Sequence, residues 1–270
     1  HVEEEHPQIV IASHGLLFWL ITFHLTWEVG EQMGRLTDGA PAWTAAARGG
    51  AMALVLTVVS LPAHRLLPPW RRFRSTYLTL GAWPVVVVIL CWLLLAAPSL
   101  PGDPWFIPYY PLANPLDLAS LALLISLVAW RLRLSEVIRP EPVATQAFTL
   151  FWGVGAFVWL NTLLLRTIHH YAFVDYSFQA LFASNLVQTS LAIFWTLLAL
   201  AAMVVGRRLA RRHLWLTGAV LLAVVVLKLF FVDLAHTGTI ARIVSFMGVG
   251  ILLLAIGFLS PMPPQMNKGG

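Results

Sequence analysis

The chain predicts an all-α, polytopic integral membrane helix bundle, and three observations carry that prediction. Of its 270 residues, 59% are hydrophobic and only 11% charged, against about a quarter charged in an ordinary soluble domain. Apolar runs of about 20 residues, each enough to cross about 30 Å of hydrocarbon, recur along the whole length. The arginines gather in alternate loops. The net charge of +5 is therefore a topology signal, and nucleic acid is not an expected partner.

In order, residues 1–8 (HVEEEHPQ) are acidic, lack Met and carry no basic leader. They read as a linker, with further polypeptide expected upstream. A transmembrane domain over 9–260 follows, with about eight spans near 9–34, 43–63, 77–97, 115–131, 145–166, 183–206, 213–233 and 239–260. Residues 261–270 are a polar tail. Arg65, Arg71, Arg72 and Arg74 lie between the second and third spans, and Arg131, Arg133 and Arg139 between the fourth and fifth. Arg207, Arg208, Arg211 and Arg212 lie between the sixth and seventh. The alternate connections hold only Arg35, Arg48, Arg166 and Arg242. By the positive-inside rule the Arg-rich loops are cytoplasmic, and with eight spans so are both termini. The lone Cys91 allows no internal disulfide and no cysteine-based metal site.

Two extracytoplasmic connections stand out. Residues 98–116, PSLPGDPWFIPYYPLANPL, hold six prolines beside Trp105, Tyr109 and Tyr110. That density forbids a regular helix, and the segment is either a lid or an interfacial connector. Asn114 before Pro115 suits the cap and first position of the next helix. Residues 167–182, TIHHYAFVDYSFQALF, are too polar for a span and too aromatic for a free loop. A short helix lying in the interface is expected there.

The ionisable residues converge on the same side. His24, Glu28 and Glu31 are spaced i, i+4, i+7 on one helix face. Thr162, Arg166 and His169 repeat that spacing, with His170 beside them, and Lys228, Asp233, His236 and Arg242 fall at the corresponding end of the last two spans. A lone charge near the bilayer centre costs about 2.5–3.5 kcal/mol on insertion scales, so the stripe is expected to face a shared polar cluster. Glu28 and Glu31 would find cationic partners in Arg166, Lys228 and Arg242, while Lys228 and Asp233 would serve structural charge pairing.

Glu28 and His169 are acid–base candidates. Arg166 and Arg242 would hold an anionic or glycan- or lipid-linked substrate, with His170, Glu31, Trp105, Tyr109 and Tyr110 around it. Alternatively those arginines only neutralise acids. His24, Glu28 and His169 are candidate ligands for zinc or another divalent metal, although no zinc-protease helix signature is present. Adjacent His169 and His170 can share one ion only where their helix ends. Asn161, Asn185 and Gln188 suit interhelical hydrogen bonds, and Gly248, Gly250 and Gly257 suit close helix contact. There is no Gly-rich phosphate loop or nucleophile elbow, so whether the chain is an enzyme stays open.

The stretch LKLFFVDLAHTGTIARIVSFMGVGILLLAIGFLSPMPP (227–264) resembles the closing segment of the bacterial membrane proteins grouped as the domain-of-unknown-function 2339 family. NPLDLA (114–119), NTLLLRTIHHYA (161–172), LVQTSLAIFWTLLAL (186–200) and the opening LLFWLITFHLTWEVG resemble that family too. The resemblance implies a multi-pass protein of the bacterial cytoplasmic (inner) membrane, with this chain as the C-terminal part of a longer polypeptide. It implies no reaction. Three roles are therefore carried forward: binding or modifying a substrate at the outer cluster, transport, and structural assembly. Expected partners are membrane lipids, the upstream region and neighbouring membrane subunits.

Overall fold

The structure, a computed structural model, describes residues 7–62, 68–139 and 141–229, with residues 247, 250 and 254 beyond them. All regular structure among the described residues is helical, without strands. In order they form α1 (Pro7–Leu36), α2 (Pro41–Val59), the short α3 (Pro68–Arg72), α4 (Arg74–Ala96), α5 (Pro115–Val137), α6 (Pro142–Ala172), α7 (Phe178–Ala183), α8 (Asn185–Arg208) and α9 (Arg212–Lys228). Six of them (α1, α2, α4, α5, α6 and α8) are long and apolar enough to span a membrane. The seventh expected span is represented by the 17 residues of α9. The eighth lies outside the described residues.

The chain divides into two compact units, His1–Tyr176 and Ser177–Gly270. In the first, α2 packs along both α1 and α5, and α4 closes against them. Leu56, Leu78, Ile89, Leu93, Leu123 and Trp130 are fully or almost fully buried between these helices.

α4 is the irregular member, for a reason visible in its residues. Pro84 has no backbone N–H, so the Leu80 carbonyl cannot receive an ordinary helical bond. The turn before it widens into a π-segment, Tyr77–Gly81. The carbonyls loosened there are met from neighbouring helices. Trp19 Nε1 donates to Leu80 O at 3.2 Å and to Gly81 O at 3.0 Å, and Trp130 Nε1 donates to Leu78 O at 2.9 Å. Bare carbonyls in hydrocarbon cost several kcal/mol each, so these indoles fasten the bundle through the defect. A second π-segment, Trp92–Ala96, ends the helix, with Ala97 N donating to Trp92 O at 2.9 Å.

α5 starts as expected: the Asn114 side chain accepts from Leu116 N at 3.0 Å, with Pro115 in the first turn. The expectation of one interfacial helix over 167–182 is corrected. Residues 167–172 continue α6, and only Phe178–Ala183 forms a short separate helix. The polar groups of TIHHYA are satisfied without leaving the helix. Thr167 Oγ1 donates to Leu163 O at 2.7 Å, and both imidazoles reach loop carbonyls. α6 stops at Phe173, which is left-handed at φ 56°.

In the second unit, Ser177 and Ser184 cap α7 and α8. α8 and α9 form a close hairpin turned through Ala210 at φ 51°. A Cβ on Gly218 would sit 2.6 Å from the Ala199 carbonyl oxygen, and one on Gly206 would sit 2.6 Å from the Trp215 nitrogen. Small residues permit this approach. Gln188, expected as interhelical glue, accepts from Lys228 Nζ at 3.1 Å through its backbone oxygen.

Candidate functional site

The polar centre of the first unit lies where α4 ends, α5 begins and α6 ends. Arg166, one and a half turns before the end of α6, is fully buried. Its Nη1 donates to Asp117 Oδ1 at 2.6 Å, its Nη2 to Ala97 O at 2.5 Å and its Nε to Leu100 O at 3.1 Å. One guanidinium therefore neutralises an equally buried acid in the first turn of α5 and takes up two carbonyls freed at the end of α4. The planar fork suits this work: it donates in several fixed directions at once.

Around that pair the loop 97–114 is tied down as a cap. Asn114 Nδ2 donates to Gly102 O at 2.9 Å, and Tyr176 Oη donates to Pro98 O at 2.9 Å. Gly102 sits at φ 78°, and a Cβ there would press on Arg166 and Asn114 at 3.3 Å. Tyr109 is buried, its ring stacked on His170 with centroids 4.2 Å apart, and its carbonyl accepts from Tyr171 Oη at 3.0 Å. Burial pushes the Tyr109 phenol up to about 12 and also raises that of Tyr176. The Tyr109 hydroxyl and Asp117 Oδ2 are buried neighbours without a hydrogen bond of good geometry. Trp105 and Tyr110 are exposed, with Trp105 edge-on to Trp43 at the start of α2.

His169 Nδ1 lies 2.7 Å from Val174 O, and His170 Nε2 lies 3.1 Å from Pro101 O. Asp103, at the cap's surface, places Oδ1 3.9 Å from His169 Nε2.

The expected single cluster is divided. Glu31 pairs with Arg48 on the adjacent α2 at 3.1 Å, and Arg48 also lies over the Trp27 ring, its guanidinium carbon 5.1 Å from the centroid. Gly30 leaves room for that arginine, since a Cβ there would overlap its side chain. Glu28 accepts from Gln32 Nε2 at 2.6 Å, and both Glu28 and His24 are exposed. No polar contact among the described residues joins Glu28 or Glu31 to Arg166, His169 or His170. The reason is local: Asp117 takes Arg166, and the partner of Glu31 comes from the next helix. The residues grouped within metal-binding distance are Asp103, His169 and His170, without His24 or Glu28. Arg242 and Asp233 lie outside the described residues.

Sequence reasoning misses Asp117 as a site residue. An acid in a first helical turn reads as a partner for the helix dipole, and only its position inside an otherwise apolar span distinguishes it. Asp103 is missed because it sits among loop prolines.

No curated protein and no solved structure matches the chain. A family model does. It is described as "Predicted membrane protein (DUF2339)" and matches residues 1–263. Six membrane-length helices agree with that description, and the chain belongs to the DUF2339 family of predicted membrane proteins.

Proposed function

We propose that this chain is an assembly subunit of a multi-pass complex in the bacterial cytoplasmic membrane, docking against another membrane helix through the polar face of α1. The single observation that carries this reading is the exposure of His24 and Glu28 on a helix otherwise apolar enough to span a bilayer. Leu20 and Trp27, beside them, are also largely exposed. Ionisable groups facing lipid are costly, and they face helices or cavities instead. The occupant is a helix of a separate membrane subunit. The cap over Arg166 then lies on the extracytoplasmic side, because the arginine-rich connections at the opposite ends of the helices are cytoplasmic by the positive-inside rule.

The engagement of Arg166 supports assembly over chemistry on an anion, since its three nitrogens already have partners. Binding of an anionic, glycan- or lipid-linked substrate is the second reading. It is favoured by the exposed Trp105 and Tyr110 on a cap that lies beside His169 at the end of α6.

The test is native electrophoresis of digitonin-solubilised membranes. His24→Leu with Glu28→Leu leaves the melting temperature of the purified chain unchanged or higher, and lowers the size of the native complex. A complex of unchanged size with a normally folded double variant overturns the docking role of α1.

A further inference from the structure

We infer that Asp103, His169 and His170 form a binding site for one divalent transition-metal ion between the cap and the end of α6. The inference does not depend on α1 docking. One donor atom from each of the three residues lies within 4.8 Å of the other two. Nitrogen donors bound to zinc sit about 2.0–2.1 Å from the ion, which places tetrahedral ligand atoms about 3.3 Å from one another. The closing movement falls on Asp103, whose side chain is 62% exposed.

Three further observations favour a metal over a chance encounter. The tautomer of His169 that donates from Nδ1 to Val174 O leaves Nε2 with its lone pair toward the Asp103 carboxylate. The His170 ring is fixed beside it, Nε2 3.1 Å from Pro101 O and the ring stacked on Tyr109. An imidazole that donates one N–H to a backbone carbonyl while offering the other nitrogen, as His169 does, is oriented as a metal ligand is. Third, both histidines lie in the last turn of α6, which stops at Ala172 before the left-handed Phe173, and their ring centroids are 4.7 Å apart.

The electrostatics agree. Arg166 beneath the cap is neutralised by Asp117, so Asp103 supplies the uncompensated charge. Two imidazoles and one carboxylate suit zinc and similar divalent ions, and they leave coordination positions open for water or an anionic group.

The full chain is purified in mild detergent, stripped with a chelator and titrated separately with Zn2+ by calorimetry and with Co2+ by visible absorption. One equivalent binds, and Co2+ develops the intense bands of a low-coordinate site. Asp103→Asn, at a surface position that does not support folding, weakens binding by more than about tenfold, as does His170→Ala, since loss of even an outer partner costs about 10–100-fold. His24→Ala leaves it unchanged. Binding that survives both site substitutions, or that is lost equally in His24→Ala, overturns the site. So does absence of any binding to wild-type chain at millimolar ion.

Discussion

In the first unit, helices are fastened by donors aimed at backbone: two tryptophans meet the widened turn of α4, and Arg166 meets its end. In the second unit, α8 and α9 are fastened mainly by shape, with Gly206 and Gly218 letting one backbone rest on the other, and Lys228 Nζ donating to the Gln188 carbonyl as well. Lipid supplies no hydrophobic drive for one helix to leave it for another, so membrane helices associate through close packing or polar contact. The two units use one device each as the main one. The polar device tolerates an irregular helix and requires every donor. The steric device needs no donor and tolerates no added atom.

The largest expected effect breaks the polar device. Arg166→Leu strands the buried Asp117 without its cation, and removing one partner of such a pair costs about 3–5 kcal/mol. Thermal unfolding in detergent reads this as a large fall in melting temperature, and limited proteolysis finds cleavage within residues 97–114. Adding Asp117→Leu recovers only part of the loss, because no stranded acid remains while the Ala97 and Leu100 carbonyls still lack their donor. Failure of the double variant to recover would mean that the two carbonyl bonds, rather than the ion pair, carry the cap.

A smaller effect breaks the steric device. Gly218→Leu drives a side chain into the Ala199 carbonyl and the Met203 backbone, and overpacking of this kind costs about 1–3 kcal/mol. Spin labels on α8 and α9 report a wider separation. Gly30→Ala sharpens the contrast: its added methyl group overlaps the Arg48 side chain and no backbone, so it displaces the Arg48–Glu31 pair without forcing two helix backbones apart.

The smallest effect is nil at neutral pH. The Tyr109 phenol is raised from 10.0 to about 12 by burial. Its neutral form is thus favoured by folding, and that contribution is intact below the ordinary value and lost as pH rises from about 10 to about 12. Melting temperatures measured across that range fall, and Tyr109→Phe removes this part of the fall. An unchanged alkaline profile in the variant would place the ionisation on other tyrosines, Tyr176 among them.

Much of the first unit is legible in the amino-acid sequence. Apolar run length locates the spans, and the Asn114–Pro115 pair locates the start of α5. Arg166 is marked by its rarity, as a cation near the end of an apolar span. Its partner is not legible, because spacing along one helix says nothing of which neighbouring helix supplies the acid. Glu31 shows the same limit, since Arg48 reaches it through a gap that only a glycine at position 30 leaves. The reach of α6 to Ala172 is hidden by composition: hydropathy scores His169 and His170 as polar, but not the loop carbonyls that receive them. Pro84 does carry a local signal for the widened turn of α4, since a missing N–H requires its carbonyl to be met elsewhere.

The π-segment Trp92–Ala96 also absorbs phase. An α-helix advances about 100° of rotation with each residue, and the wide turn takes up one residue without that rotation, because Ala97 N closes directly on Trp92 O. A residue added to the regular turns of α4 would instead swing the Ala97 and Leu100 carbonyls about 100° around the axis, away from Arg166. Helix length at this point is thus a matter of angular timing, and a one-residue insertion that hydropathy barely registers would unlatch the whole cap.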